Sequence, residues 1–367
     1  MSNDLSNVAV ALPSGEGFGW GHCGKELTKR LVAKGAHTLS NNQPYMLGTH
    51  DTVLQAISGR DFGYTANILS SIYQVGYGFI EDDIIGRKNI RLGERLWDAI
   101  VCGSSWMRGW MMEEDSSSSV STVIQGVDTD IFHYRTSKSL DTPFTIGSFG
   151  KLEFRKGQDI VIKAFGLFQE KHPEVKLLYA WNNPWPQLIQ QMAVEPGLKC
   201  DMSHLDAQES PLGATGYSLS VAGASMGSYH PIRGNSHVMR DAMESCDVAL
   251  FPNRCEAGTN LMLHECLAVG LPCIATNATG HKDLTGRIDY PCKDLNLNCG
   301  KTFVYKQGDL EVGNWHEVCI EEILSQLSYA YQQREMLRAR RKAISDFGMS
   351  FTWDKSADKM AAILGGY

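Results

Sequence analysis

Residues 247–284, DVALFPNRCEAGTNLMLHECLAVGLPCIATNATGHKDL, decide the fold. Val248 to Phe251 is a short apolar run suited to a buried parallel strand, and Pro252 with Asn253 ends it. Glu256-Ala-Gly258-Thr259-Asn260 then makes a small-residue bend, with Thr259 and Asn260 as helix-capping residues ahead of an apolar helix over 261–269. The backbone N–H groups of Thr259, Asn260 and Leu261 are expected to point out of that helix N-terminus, where unpaired donors and the helix dipole favour a diphosphate. Glu265, on the first turns of the helix, is placed to accept hydrogen bonds from ribose hydroxyls, and Glu256, ahead of the turn, to touch a sugar ring. Gly270-Leu-Pro272 stops the helix, and residues 273–276 read as the next buried strand. Taken alone, the segment also fits a strand–turn–helix unit whose glutamates only cap or are solvated.

The same layout recurs upstream. Residues 144–149 form an apolar-leaning strand, then Gly150-Lys-Leu-Glu-Phe-Arg-Lys-Gly157, then a helix over 158–171 with Ile160, Val161, Ala164, Phe165 and Phe168 on one face. Lys151, Arg155 and Lys156 gather positive charge on a strand-to-helix loop, where surface lysines are the ordinary alternative. Near the N-terminus, residues 8–12 read as a first strand, and Pro13-Ser-Gly-Glu-Gly-Phe-Gly19-Trp20-Gly21 as a glycine-rich loop that lets backbone approach a ligand. Gly19, Gly21 and Gly24 satisfy the letters of a dinucleotide fingerprint, but no acidic residue follows a second strand at 36–40.

Together these segments resemble the retaining glycosyltransferases of family 4. The likeness rests on the paired glutamates, here with eight residues between them where the family usually has seven, and on the Gly-Lys-Leu…Lys-Gly element. Tyr77-Gly-Phe-Ile-Glu81, Val123-Ile-Gln-Gly-Val-Asp128 and Phe351-Thr-Trp353 are similar to further family segments. The resemblance implies an α/β chain of GT-B architecture: two Rossmann-like domains with parallel sheets facing across a cleft. It places the acceptor-side domain at 1–140, the nucleotide-sugar domain at 141–345, and a C-terminal helix at 346–367 that returns to the first domain.

The resemblance also assigns roles. Lys151, Lys156, Glu256 and His50 are the catalytic candidates. Gly19, Gly21, Lys151, Arg155, Lys156, Gly258, Thr259, Asn260, Leu261 and Glu265 are the donor-binding candidates. Trp20, His22 and Glu81 are the acceptor-side candidates. The implied activity is retaining, metal-independent transfer of a hexose from a UDP-glucose-like or GDP-mannose-like nucleotide sugar to a hydroxyl, with the leaving diphosphate stabilised by Lys151, Lys156 and backbone amides. No cofactor or metal is expected: Asp128-Thr-Asp130 matches a DxD motif by letter but belongs to a turn. Residues 182–235 should contain the base pocket. A different GT-B sugar enzyme and a non-catalytic nucleotide-sugar-binding scaffold remain open alternatives.

Composition bounds the partners. The 367 residues suffice for two cores, and the absence of an eighteen-residue apolar run or an export signal leads to the expectation of a cytoplasmic protein without a membrane span. The net charge of −7 argues against broad nucleic-acid affinity. Arg87, Lys88, Arg91 and Arg95 nevertheless keep hydroxymethylated phage DNA bases open as acceptor. Arg334, Arg338, Arg340, Arg341 and Lys342 read as a solvated helix face. The ten cysteines show no paired framework and read as small apolar residues in a reducing compartment.

Overall fold

The computed structural model of the protein describes residues 4–15, 18–39, 51–64, 73–114, 119–135, 138–183, 206–209, 215–218, 229–231 and 235–366. The first sheet contains β1 (Val8–Ala11), β2 (His37–Thr38), β3 (Thr52–Ser58), β4 (Gly63–Tyr64), β5 (Tyr73–Gly78), β6 (Ala99–Cys102) and β7 (Ser119–Thr122). Its order is β2-β1-β3-β5-β6-β7, with β4 antiparallel on β3 and every other pairing parallel. Register lines Val10, Leu54, Val75 and Ala99 into one buried row across four strands. Helices cover both faces, which is why these strands are apolar runs rather than alternating ones. Against one face lies α1 (Gly19–Val32), and against the other α2 (Asp83–Leu96) and α3 (Ser105–Glu113).

The second sheet contains β8 (Thr145–Lys151), β9 (Lys176–Asn182), β12 (Tyr229–Pro231), β13 (Val248–Phe251), β14 (Cys273–Thr276) and β15 (Asn296–Leu297), in the parallel order β12-β9-β8-β13-β14-β15. A small antiparallel pair, β10 (Asp206–Glu209) and β11 (Thr215–Ser218), lies between β9 and β12 in the chain. Its helices are α4 (Gln158–Gln169), α5 (Ser236–Glu244), α6 (Leu261–Ala268), the single turn α7 (Lys282–Thr285), α8 (Ile320–Gln332) and α9 (Arg334–Gly348). Helix α6 ends as its sequence dictates. Gly270, at φ 79°, donates to the Leu267 carbonyl, and Leu271 donates to that of Cys266, which satisfies two end-of-helix acceptors.

The chain then crosses back. Helix α9 packs on α6, where Ser345 Oγ donates to the Ala268 carbonyl at 2.5 Å. Four residues beyond α9, α10 (Trp353–Leu364) has changed sheets. Its Trp353, Ala357, Met360, Ala361 and Leu364 repeat at helical spacing and enter the same core as Leu27 and Leu31 of α1. Arg30 to Asp354 at 2.9 Å and Lys34 to Asp358 at 2.6 Å flank the contact.

Several expectations need correction. Strand β8 runs on to Lys151, so this lysine ends a strand instead of sitting in the loop. Gly19 and Gly21 already lie in the first turn of α1, since the helix starts earlier than the glycine content suggests. Arg341 is buried, not solvated; it donates to the Cys246 and Glu244 carbonyls at 3.0 and 3.4 Å. In the basic cluster of α2, Arg87 is occupied by Glu113 and Glu114 at 2.7 and 2.9 Å, and Arg91 by Glu94 at 2.9 Å. Among the described residues Cys299 and Cys319 form a disulfide, while Cys23, Cys102, Cys246, Cys255, Cys266, Cys273 and Cys292 are buried thiols. The pair closes the base of an antiparallel hairpin, β16 (Gly300–Gln307) and β17 (Leu310–Val318). Among the described residues no helix is long and apolar enough to cross a membrane.

Candidate functional site

The carboxyl ends of β8 and β13, adjacent strands of the second sheet, face the carboxyl ends of β5 and β6 in the first. Open parallel sheets bind ligands at such ends. Ser104, which caps α3, donates through Oγ to the Ala257 carbonyl at 2.6 Å, and Ser105 N–H donates to Asp283 Oδ2 at 2.7 Å, with a second bond from its hydroxyl. The Glu256–Asn260 turn is thereby held from both sides. Within the second sheet, Thr279 Oγ1 accepts from the Glu256 N–H at 3.1 Å and Gly280 N–H donates to the Glu256 carbonyl at 2.8 Å.

All three expected cations reach this place, and each meets a carboxylate. Lys156 Nζ lies 2.5 Å from Glu256 Oε1, and Arg155 Nη1 lies 3.0 Å from Glu256 Oε2. Arg155 also meets Glu153 at 2.7 Å and Glu81 at 3.4 Å, and Lys151 meets Glu153 at 2.5 Å. Glu256 is 4% exposed. Burial works to raise its carboxyl, but Lys156 and Arg155 beside it outweigh that and hold it down at about 2. Asn253 Nδ2 is a third donor to this carboxylate, on Oε1 at 2.5 Å. Glu153, absent from the sequence-derived site, is held below the usual carboxylate range: burial pushes it up, while Arg155 and Lys151 pull it down further.

Helix α6 begins at Asn260, whose φ of 65° lies in the left-handed region. Its side chain accepts from Met262 N–H at 3.2 Å, and its Nδ2 lies 3.1 Å from Nε2 of buried His281. Thr259 Oγ1 lies 2.6 Å from His264 Nε2. Burial lowers His281 to about 4 and His264 to about 3, so both rings are neutral braces under the turn. Glu265 is 7% exposed, and among the described residues its buried Oε2 has no hydrogen-bond partner. Burial, and then the Asp128 carboxylate, push it up to about 8. A buried carboxyl oxygen left without a partner is rare in folded proteins and calls for a specific cause.

The two sheets meet again at α1. A Cβ on Gly19 would lie 3.4 Å from Leu261 Cδ1, so the starts of α1 and α6 touch, and a Cβ on Gly258 would lie 2.9 Å from Phe79. Trp20 sits edge-on to Phe79 at 4.9 Å and belongs to this wall. His22 does not: two residues further on it has turned about 200° around the helix, and it packs edge-on to Trp353 of α10 at 5.8 Å. Gly21 faces Phe18 within its own turn. Glu81 reaches Arg155, and its carbonyl accepts from Trp315 Nε1 at 3.2 Å. His50 and most of the expected base pocket at 182–235 lie outside the described residues.

Comparison with solved structures gives agreement over nearly the whole chain. The Anabaena protein HepE in complex with UDP matches with TM-score 0.60 and 13% identity, covering 98% of this chain and 100% of that one. The E. coli trehalose-6-phosphate structure bound with UDP-2-fluoro glucose matches with TM-score 0.62 and 11% identity, covering 98% and 99%. The fold is GT-B. A further GT-B match is a mutant of S. aureus TarM in complex with Fondaparinux, alpha-GlcNAc-glycerol and UDP, with TM-score 0.52 and 11% identity over 80% of this chain and 51% of that one. No family model and no curated protein sequence matches the chain. In GT-B terms the Lys151–Lys156 segment and the Glu256–Leu261 turn occupy the carboxyl ends of neighbouring strands of the C-terminal sheet.

The hairpin β16–β17 lies outside the sequence-derived expectations. It reaches across to the first sheet's helices, where Asp83 of α2 accepts from Asn314 N–H at 2.6 Å and from its Nδ2 at 2.9 Å. A signal for it is present: Gly308-Asp309 separates two runs that carry Phe303, Tyr305, Val312 and Trp315, and a two-residue Gly-containing loop between such runs marks a hairpin.

Proposed function

We propose that the protein is a glycosyltransferase that moves a hexose from a UDP-glucose-like or GDP-mannose-like nucleotide sugar to a hydroxyl acceptor, with retention and without a metal ion. The observation that carries this is the buried Lys156–Glu256–Arg155 cluster beside the start of α6. It supplies fixed positive charge next to helix-terminal donors, which is what a departing diphosphate requires. In this reading Lys151, Arg155 and Lys156 bind the diphosphate, with the turn at Gly258, Thr259, Asn260 and Leu261 beside it. Glu265 accepts from the ribose and Glu256 from the transferred hexose. UDP in the HepE, TarM and E. coli structures supports a uridine donor. The Arg87 pairing with Glu113 and Glu114 leaves the DNA-acceptor alternative with less support from this surface.

The test is calorimetric binding of UDP, GDP, UDP-glucose and GDP-mannose to wild type and to Lys156→Ala, with and without EDTA. One nucleotide series should bind, insensitive to EDTA and at least tenfold weaker in the variant, because a charge-assisted contact is worth about 1.5–3 kcal/mol. Binding of none of them sinks the reading. Anomeric analysis of the product decides retention.

A further inference from the structure

The hairpin lines one side of an open pocket of about 130 Å³ at the junction between β5 and α2. We propose that this pocket receives the acceptor, and that the acceptor presents there a hydroxylated ring bearing no phosphate.

The lining defines the chemistry. Tyr305 and Trp315 stack face to face, 3.8 Å apart and 10° from parallel, and both border the pocket. Glu81, Asp82 and Glu153 border it too, with Arg155 as the one cation among the described lining residues. Aromatic rings offer an apolar surface to the C–H face of a ring, and carboxylates accept hydrogen bonds without donating. A ligand rich in donors and bearing apolar ring faces suits that combination; a phosphate ester would face three carboxylates.

Position links the pocket to the proposed donor site. Arg155 borders the pocket and also bonds Glu256, so an occupant lies one guanidinium away from the Lys156–Glu256 pair. Glu153 is shared in the same way, bordering the pocket while pairing with Lys151. The walls come from both sheets: Glu81 and Asp82 follow β5, Glu153 and Arg155 follow β8, and Tyr305 and Trp315 come from the hairpin. The assignment as acceptor rests on the transferase reading above; the ring-binding chemistry does not.

The experiment is saturation-transfer NMR on the full chain with methyl glucoside, glucosamine and glucose 6-phosphate as probes, with and without UDP. Wild type is compared with Tyr305→Ala and with Asp82→Asn, which leaves the shape unchanged; thermal melts establish that each variant is folded. Methyl glucoside and glucosamine should bind saturably, with glucose 6-phosphate much weaker. Tyr305→Ala should weaken the first two about tenfold, as loss of an aromatic contact of about 1.5 kcal/mol implies, and Asp82→Asn should weaken glucosamine most. UDP affinity should stay within about twofold in both variants, since neither side chain belongs to the cation cluster. Sugar binding that is absent, unchanged in folded Tyr305→Ala, or equal for the phosphate ester overturns the proposal while leaving UDP binding intact. Sugar binding without UDP binding overturns the donor reading and the acceptor role with it.

Discussion

Lys156 and Glu256 form a buried ion pair, Nζ to Oε1 2.5 Å, at the carboxyl ends of two neighbouring strands. The pair has a second cation, Arg155, on the other oxygen. Removing one member of such a pair leaves the remaining charges uncompensated, at a cost of about 3–5 kcal/mol. Glu256→Gln should therefore melt well below wild type. UDP, which brings negative charge to the same cations, should raise the melting temperature of the variant more than that of wild type. Equal UDP-induced shifts in a calorimetric scan would show that the diphosphate does not meet this cluster.

Glu265 and Glu256 give opposite pH signatures. Glu265 is raised to about 8 in the folded chain, so its contribution to stability is fully present below the unfolded pKa, near 4.3, and is lost as pH rises toward 8. Glu256 is depressed to about 2, so its contribution is present above the unfolded value and is lost as pH falls toward 2. Wild type should lose stability relative to Glu265→Gln between about pH 5 and pH 9, by an amount on the order of a few kcal/mol. Parallel melting curves across that range would rule out the raised pKa.

The disulfide at the hairpin base makes a prediction from chain topology. Cys299 and Cys319 are 20 residues apart, and closing a loop of roughly that length restricts the unfolded chain by about 3 kcal/mol in the chain-entropy model. Reduction, or Cys299→Ser, should lower the melting temperature by a few degrees. Because Asn314 ties the same hairpin to Asp83, Asp83→Ala should lower it as well, by roughly 1–3 kcal/mol for the donors left unsatisfied. Scanning calorimetry under oxidising and reducing conditions reads both. An unchanged transition after reduction confirmed by thiol counting would mean that the bond adds nothing to the fold.

What the sequence makes legible follows from burial. Val248–Phe251 and Cys273–Thr276 are covered on both faces, so they stand out as unbroken apolar runs, and the intervening helix carries its own stop at Gly270. Helix α10 enters the reading only through the resemblance at Phe351-Thr-Trp353, although Trp353, Ala357, Met360 and Leu364 keep helical spacing. The hairpin shows in the sequence only through its Gly308-Asp309 turn, because most of β16 is exposed and its two halves are tied by a register that no single segment displays. Arg341 reads wrongly as solvated for a related reason: a buried guanidinium is defined by the carbonyls it meets, Cys246 and Glu244, and these are about a hundred residues away in sequence. The cations Lys151, Arg155 and Lys156 are found by spacing. Glu153, in the same loop, pairs locally with Lys151 and Arg155 and is passed over by that spacing, whereas Glu81, named only as an acceptor-side candidate, meets Arg155 across the two sheets, which is a property of the folded chain.

Gly280 provides the sharpest steric test of the turn. A Cβ there would stand 1.9 Å from the Gly258 carbonyl oxygen and 2.6 Å from that of Glu256, both backbone atoms that no side-chain rotation can clear. Gly280→Ala must therefore push the Glu256–Asn260 turn away from the loop that now grips it through Thr279 Oγ1 and the Gly280 N–H. Overpacking of this kind costs about 1–3 kcal/mol. The displacement falls on Glu256, and hence on Lys156, so donor binding should suffer beyond the loss of stability. Calorimetric titration with UDP below the melting transition should show affinity reduced at least tenfold in a folded variant. Gly109→Ala, with nothing within 4 Å of its Cβ, is the control and should bind as wild type. If Gly280→Ala binds UDP as tightly as Gly109→Ala, the turn's position is not what sets donor affinity.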